Sequence, residues 1–415
     1  MQTRVDFQAA ARFNIAMRIQ RAVTWSLVLS LVGIGLAGYL TVLHLGLMRG
    51  ELLGGAACGT SGAFNCHMVA GSSWGSFLGM PLSLWGLLGY VGVFALALLA
   101  RQSPDWAAHA MTLSAGLAAL FVAIDLLLFG VMVVVIRALC LFCLVTYAVN
   151  LLLAVIAWRA LQRPWPQIFK HLGPSCATLV PSSQRPAAWL FWGIITVGVI
   201  GVSGVHAATT FVSRGSLGSI QPQLREYLGK QTPLRLELTG DPVIGPSQAA
   251  LQIVEFSDFF CPACQRASQL NTIILAGHRR DAVFIFKHYP LDTSCNDRIN
   301  RMVHPGACQV AAASECAHLQ GTFWPFHDRL FAHGRSYQVE RLEADAAQLD
   351  LDLPRFRACM ASGEGLAAVK RDIAEGARVG VSSTPTYVIN GVPATGGFNP
   401  AMFEAFVAAL RETGG

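Results

Sequence analysis

Six cysteines of this 415-residue chain fall into three pairs that could be oxidised and reduced together: Cys58/Cys66, Cys140/Cys143 and Cys261/Cys264. The second and third are C-x-x-C motifs. Residues three apart share one face of a helix. A thiol at a helix N-terminus also meets unpaired backbone N–H groups and the positive dipole end, which lowers its pKa and populates the attacking thiolate. Cys261 is therefore expected to be an exposed nucleophile, with Cys264 the buried resolving thiol. Cys58 and Cys66 are separated by mostly small or turn-forming residues (GTSGAFN), a spacing that permits a disulfide without imposing one; a structural staple is the alternative. Zinc is the competing use of C-x-x-C, but it asks for a second ligand pair at finger-like spacing. Two pairs lie in an apolar half and one in a polar half, an order that points to thiol–disulfide electron transfer at one membrane face.

The elements that must hold these cysteines follow from charge. The chain is 53% hydrophobic and 13% charged, unlike an ordinary soluble protein. Uncharged or nearly uncharged runs predict five spans of the roughly 20 residues a bilayer needs, at 22–47, 81–100, 107–136, 139–158 and 187–209. Residues 52–80, rich in Gly and Ser, read as a loop with an interfacial or half-inserted helix. The first uncharged run, Ala22–Met48, outlasts the about 7–15 residues of a signal-peptide core, so its retention is expected. Arg4, Arg12, Arg18 and Arg21 precede span 1, Arg101 follows span 2, and Arg159, Arg163, Lys170 and Arg185 lie between spans 4 and 5. By the positive-inside rule the N-terminus is cytoplasmic. All three pairs then lie on the exported side, where disulfides persist. The net charge of +6 largely restates this bias. No basic run with interleaved aromatics is present, so nucleic acid is not an expected partner.

Cys140 and Cys143 open span 4, and Tyr147 adds a phenol to their stripe. Arg137, just before them, is expected to favour thiolate. Asp125 is the one charge in span 3; a carboxylate there costs about 2.5–3.5 kcal/mol. It is read as a proton carrier, as a hydrogen-bonded group between helices, or as a break in the span. His44 is expected at the interface, and Cys176 is expected to be a free thiol without a role.

After a predicted linker at 210–240, the composition becomes globular. Strands are expected at Ala249–Phe256, Ala282–Lys287 and Thr386–Asn390, and helices at Gln265–Ile274, Val310–Leu319 and Ala401–Arg411. Glu255 is a candidate proton relay beneath the cysteines, a surface carboxylate at a strand end being the alternative. Cys295/Cys308 is a candidate structural disulfide in an exported segment, and Cys316/Cys359 is a further possible pair.

Two resemblances organise these readings. Glu255 six residues before Cys261, the C-P-x-C motif, Gly321-Thr322-Phe323-Trp324 in a helical insertion and Thr384-Pro385 together resemble the DsbA-like branch of the thioredoxin fold, over residues 241–413. The resemblance implies a cis Pro385 facing Cys261/Cys264, with Thr384 offering backbone hydrogen bonds to a bound partner. Asn65-Cys66, Ser72, Leu78-Gly79-Met80-Pro81-Leu82, and C-x-x-C followed by Val-Thr-Tyr-Ala-Val-Asn resemble the vitamin K epoxide reductase family over residues 22–158. That family occurs in bacteria fused through a fifth span to a thioredoxin-like domain. It implies that Cys140/Cys143 faces a quinone (ubiquinone or menaquinone), that Cys58/Cys66 is the shuttle pair, and that Ser72 and Tyr147 lie near the quinone or the thiols.

The expected architecture is multi-domain. A cytoplasmic tail (1–21) precedes a five-span bundle: a four-helix catalytic core (22–158), a cytoplasmic loop (159–186) and a linking helix (187–209). The linker and an α/β thioredoxin-fold domain with a helical insertion (241–413) follow. The expected function is a quinone-dependent thiol oxidase of a bacterial inner membrane, taking electrons from reduced exported proteins or their thiol carriers to the quinone pool, with no metal. A membrane-tethered disulfide reductase or isomerase, or a non-enzymatic metal-binding or chaperone module, are the alternatives.

Overall fold

A computed structural model describes the backbone at residues 2–53, 64–102, 104–182 and 186–413. The chain divides into two compact units, one of residues 1–47 with 51–215 and one chiefly of residues 216–415.

The first unit is helical. Helix α1 (Gln2–Met48) is followed by a short α2 (Cys66–Gly71) and a two-stranded hairpin, β1 (Ser76–Phe77) and β2 (Met80–Pro81). Then come α3 (Leu82–Gln102), α4 (Pro104–Gly130), α5 (Leu141–Leu161), the short α6 (Trp165–Lys170) and α7 (Leu172–Thr178), and α8 (Pro186–Gly229). Five helical stretches are long and apolar enough to cross a membrane: Met17–Met48, Leu82–Gln102, Trp106–Ile136, Leu141–Leu161 and Ala188–Thr210. Small side chains let these helices approach closely, as lipid-embedded packing requires. Ala95, Ala100, Ala107, Ala110, Ala115 and Ala157 are all buried in one shared cluster. The end of span 3 widens into an i→i+5 turn over Val131–Ile136, and Arg137 then takes a left-handed φ of 58°, which turns the chain toward α5.

In the second unit a five-stranded sheet has the order β3-β5-β4-β6-β7. Its strands are β3 (Val243–Ile244), β4 (Leu251–Ser257), β5 (Ala282–His288), β6 (Thr386–Ile389) and β7 (Val392–Thr395). β4 and β5 are parallel; the other neighbours are antiparallel. Helix α9 (Pro262–Gly277) makes the crossover from β4 to β5. The inserted helices run α10 (Ala307–His318), α11 (Phe323–His333), α12 (Leu342–Gln348), α13 (Leu353–Ser362) and α14 (Glu364–Arg378), and α15 (Pro400–Thr413) closes the domain. This is a thioredoxin fold with a helical insertion. In the β4–β5 register Glu255 pairs with Phe286 and Phe256 with Lys287, so Glu255 and Lys287 project from opposite sheet faces. Lys287, buried on its face, meets Asp241 at 2.7 Å, Glu375 at 2.8 Å and Asp372 at 3.1 Å, fastening β5 to α14.

Several expectations about the connections are corrected. Residues 210–240 are not a linker with one short helical stretch, because α8 continues unbroken to Gly229. Its last turns, from residue 216, belong to the second unit: Leu224 and Leu228 pack in that unit's own core, and Tyr227 Oη donates to Pro393 O at 2.7 Å. The following residues form an extended ribbon in which Leu234, Leu236 and Leu238 pack on the sheet's other apolar cluster. Leu234 N donates to Gly391 O at 2.8 Å and Glu237 N to Glu375 Oε1 at 2.6 Å. The tail at 1–21 is helical from Gln2 and merges with span 1. The loop at 159–186 holds α6 and α7, anchored by buried Ile168.

Two candidate redox sites

The membrane site is built where the turn before α5 meets the segment before α2. Asn65 N donates to Leu139 O at 2.8 Å, and Phe64 and Leu139 form an isolated parallel bridge. Asn65 then caps α2, its Oδ1 accepting from Met68 N at 3.0 Å. This places Cys66 at the first position of α2, beside Cys140. The Cys140 thiol is hydrogen-bonded to both Cys66 and Cys143. Cys140 is also the N-cap of α5, its sulfur accepting from Cys143 N at 3.2 Å. The residue is 1% exposed, Cys66 is 2% exposed, and Cys143 is half-buried. Cys58 lies outside the described residues.

These three thiols line a cavity of about 230 Å³. Down α5 its wall is made by Cys143, Thr146, Tyr147 and Asn150, one face of the helix at three- and four-residue spacing. Tyr147 therefore stands with the thiols, as the stripe predicts. Asp125 reaches the cavity from α4 as a member of a hydrogen-bonded row rather than as a break. Tyr90 Oη donates to Asn150 Oδ1 at 2.6 Å, and Asn150 Nδ2 donates to Asp125 Oδ2 at 2.9 Å. Tyr90 belongs to no motif read from the sequence, and Asn150 enters there only as the end of the run after Cys143, although scarce polar side chains inside apolar spans are themselves a signal.

Three expectations are revised here. Ser72 is buried but is not among the described residues lining the cavity; its hydroxyl donates to Val69 O at 2.8 Å, spent on the end of α2. His44 is not merely interfacial, since it lines the cavity and bonds to the Ala70 backbone. Arg137 is exposed and is not among the described residues lining the cavity.

The second site opens α9. Cys261 is the N-cap, and Pro262 takes the first helical position, where its missing N–H costs nothing. Asp258 shapes the turn: its carboxylate accepts from Phe260 N at 2.8 Å, Leu291 N at 2.7 Å and His304 Nδ1 at 2.7 Å. Thr384-Pro385 is cis, as the resemblance implies. Cys261 is less open than expected, at 7% exposure, because the loop before Pro385 lies on it; the sulfur sits 3.5 Å from Thr384 O. Cys264 is fully enclosed at 0%.

Charge is distributed unevenly between these two thiols. Cys261 is pulled down to about 5. The hydrogen bond from the Cys264 thiol contributes most, against the opposing effect of burial. The Thr384 side chain and the backbone N–H groups of Cys264 and Ala263 add to it. Thr384 Oγ1 is a buried atom with no hydrogen-bond partner, so its proton is free to turn toward the thiolate. Burial pushes Cys264 the other way, helped by its bond to Cys261 and by the nearby Glu255 charge. Glu255 is 1% exposed, so the surface reading is excluded. Burial lifts its carboxyl to about 8, although Ser257 Oγ (2.9 Å) and Asn271 Nδ2 (2.7 Å) both donate to it. Ser257 also bonds to Cys264, which connects Glu255 to the resolving thiol through one hydroxyl.

The other cysteines are structural by position. Cys295–Cys308 closes a 13-residue separation and Cys316–Cys359 ties α10 to α13, so both candidate pairs form. Cys176 is an exposed free thiol.

Comparison with known proteins agrees with this division. Residues 24–158 match the vitamin K epoxide reductase family, and residues 237–409 match a thioredoxin family. The two matches, one to a vitamin K epoxide reductase family domain and one to a thioredoxin domain, fall on either side of the boundary between the two units. Curated relatives include the Na(+)/H(+) antiporter NhaA 3 of Salinispora tropica, 35% identical over 181 residues, which are 42% of this chain and 26% of that protein. The NhaA antiporter of Herminiimonas arsenicoxydans is 32% identical over 183 residues, 43% of this chain and 28% of that protein. The chain spans about a quarter of the length of the curated relatives it matches. Similar solved structures include BdbD from Bacillus subtilis, 22% identical, covering 44% of this chain and 98% of that one at a TM-score of 0.36. A thioredoxin-like oxidoreductase from Silicibacter pomeroyi is 21% identical, covering 45% and 98% at 0.36.

Proposed function

We propose that this protein is a membrane-bound thiol oxidase that makes disulfides in exported proteins and passes the electrons to a quinone. The observation that carries the reading is the contact of Cys66 with Cys140 at a cavity whose wall also bears Cys143. A loop thiol there touches the thiol it must attack, while that thiol's partner faces a space for an acceptor.

The order of events follows from thiolate chemistry, each exchange passing through a mixed disulfide. A substrate dithiol reduces Cys261–Cys264 and leaves oxidised. The Cys261 thiolate attacks the Cys58–Cys66 disulfide, freeing Cys66. Cys264 then displaces Cys58 from Cys261. Cys66 attacks Cys140, releasing Cys143 as a thiolate toward the cavity, and Cys58 displaces Cys140 from Cys66. This leaves Cys140/Cys143 reduced and Cys58–Cys66 oxidised. The low value at Cys261 supports an oxidant over a reductant: stabilising the thiolate stabilises the reduced pair, so its disulfide gives itself up more readily. Glu255, through Ser257, is placed to take the Cys264 proton as that thiol closes the disulfide again.

The cavity suits a quinone head group. Its lining is mostly apolar with a few convergent polar groups, the usual form of such sites. Its about 230 Å³ has room for a ring, while an isoprenoid tail would lie outside. When bound, a quinone supplies a sink for two electrons and two protons. The chain's own contribution is to hold Cys143 and Tyr147 on the wall and to exclude water around them. The charge bias of the loops supports placing both sites on the exported side of a bacterial inner membrane.

The test is purified protein mixed with reduced unfolded substrate and a panel of ubiquinones and menaquinones, following quinone absorbance. Consumption is expected with at least one quinone and none with Cys143→Ala. No consumption by the wild type, or an unchanged rate in the variant, overturns the reading.

A further inference from the structure

The Tyr90–Asn150–Asp125 row joins α3, α5 and α4 at the cavity wall, and it has a direction. Tyr90 is 1% exposed, and its ring is wedged against Gly33 of α1, where a Cβ would stand 2.4 Å from it. The phenol is therefore held, and it occupies the Asn150 carbonyl. The amide end of Asn150 is left to face Asp125, since an amide has one accepting and one donating end. Oδ2 of Asp125 takes that bond; Oδ1 has no hydrogen-bond partner among the described residues.

Nothing in the row itself requires an acid. An asparagine at 125 would accept the same bond from Asn150 and could not ionise, whereas an ionised carboxylate costs about 2.5–3.5 kcal/mol at the centre of a span. Among the described lining residues there is no Lys or Arg to pair with it. The titratable groups facing the cavity are His44 from α1, Cys66 from α2, Tyr90 from α3, and Cys140, Cys143 and Tyr147 at or in α5. Asn150 lies two turns beyond Cys143, about 10 Å along the helix axis. Thiol and carboxyl thus stand at opposite ends of one space.

We propose that Asp125 is the proton donor to the acceptor reduced in this cavity, with Asn150 and Tyr90 as positioning residues; this rests on the quinone reading. Oxidation of the Cys140/Cys143 dithiol forms one S–S bond and releases two electrons and two protons. The two electrons pass to a quinone, whose two oxygens each gain a proton. Asp125 gives a proton from Oδ1 to the oxygen farther from Cys143. One thiol proton goes to the nearer oxygen, and the other leaves to water, replacing the one Asp125 takes back.

The experiment uses the full chain in lipid nanodiscs. Trp74 and Trp85 line the cavity, so quenching of their fluorescence reports quinone binding independently of turnover. Asp125→Asn keeps the hydrogen bond from Asn150. It should bind quinone with little change, while single-turnover quinone reduction slows by about 10²–10⁴-fold and its pH dependence flattens. Infrared difference spectra should show a carboxylic-acid band that responds to quinone in the wild type and is missing in the variant. Asn150→Leu leaves the acid but releases it, and should shift the pH midpoint of reduction. Wild-type reduction rate and pH profile in D125N, or an unmoved midpoint in N150L, overturns the proposal. A wild type that reduces no quinone and shows no quenching overturns the quinone reading along with it.

Discussion

The two C-x-x-C sites share a motif and a place at a helix N-terminus, yet they face opposite ways. At Cys261-Pro262-Ala263-Cys264 the first cysteine keeps what exposure there is, 7%, and the second is fully enclosed. At Cys140-Leu141-Phe142-Cys143 the first is enclosed at 1%, against Cys66, and the second is half-buried on a cavity wall. Their hydrogen bonds differ to match. The Cys261 sulfur is surrounded by donors: the Cys264 thiol, two backbone N–H groups and the Thr384 hydroxyl. The Cys140 sulfur spends its capacity on capping α5 and on two neighbouring thiols. A motif places two sulfurs on one face of a helix; what covers each sulfur decides which one meets a partner. One site is arranged to attack an incoming chain, and the other to be attacked at one sulfur and to discharge at its mate.

The largest effect tests that reversal. Cys143→Ala should reduce quinone-linked turnover to background and accumulate a Cys66–Cys140 mixed disulfide, detected by peptide mapping. Cys264→Ala should instead trap a substrate or Cys58 on Cys261. Stable trapping of a partner on Cys143 in Cys140→Ala, or on Cys264 in Cys261→Ala, would break the comparison. A large effect on stability is expected at the structural disulfides, which have no counterpart among the described residues of the membrane site. Removing Cys316–Cys359 should cost about 4 kcal/mol and removing Cys295–Cys308 about 3 kcal/mol, following their separations of 43 and 13 residues. Urea unfolding of the soluble unit measures both.

Glu255→Gln sharpens the soluble side. The carboxyl is lifted to about 8 in the folded protein, from about 4.3 when unfolded. A raised acid favours folding while it keeps its proton, so its contribution is complete below the unfolded value. It declines as pH rises to about 8. The stability of the wild type relative to E255Q should fall across this window, the contributions of other groups cancelling in the difference. A parallel decline in both proteins would remove Glu255 as the cause. The smallest effect is expected from Thr384→Val, which deletes one donor to the Cys261 thiolate. Its pKa should rise by about one unit, read as slower alkylation near pH 5. No change there would assign the low value to Cys264 and the helix end alone.

Much of the architecture was legible because its signals are strong and local. Runs without charge marked the spans within a few residues, and Cys140, Cys143 and Tyr147 at i, i+3 and i+7 marked one face of α5. The stretch 230–238 shows why other parts were not. Leu234, Leu236 and Leu238 alternate as a packed ribbon should, but the run is short and follows a helix with Pro222 inside it. Ser72 illustrates the opposite error. Its motif position pointed to the cavity, whereas a serine ending a short helix has a nearer use for its hydroxyl on Val69 O. Asn150 ended the motif after Cys143, yet its bonds to Tyr90 and Asp125 were not legible, because a single polar residue in a span does not disclose its partner.

By itself the sequence determined the composition of this protein: an apolar five-span half, a thioredoxin-type half, and cysteines paired by spacing in each. These follow from hydropathy, helix periodicity and the chemistry of thiols, all of which act over a few residues. Only the tertiary structure decided which sulfur of each pair is covered, that Cys66 lies against Cys140, and that Asp125 ends a row begun at Tyr90. Those are contacts between residues 25 to 123 positions apart, from Asp125–Asn150 to Cys261–Thr384. Burial, hydrogen bonding and charge at such contacts depend on helices and strands meeting in space, which spacing along the chain does not encode.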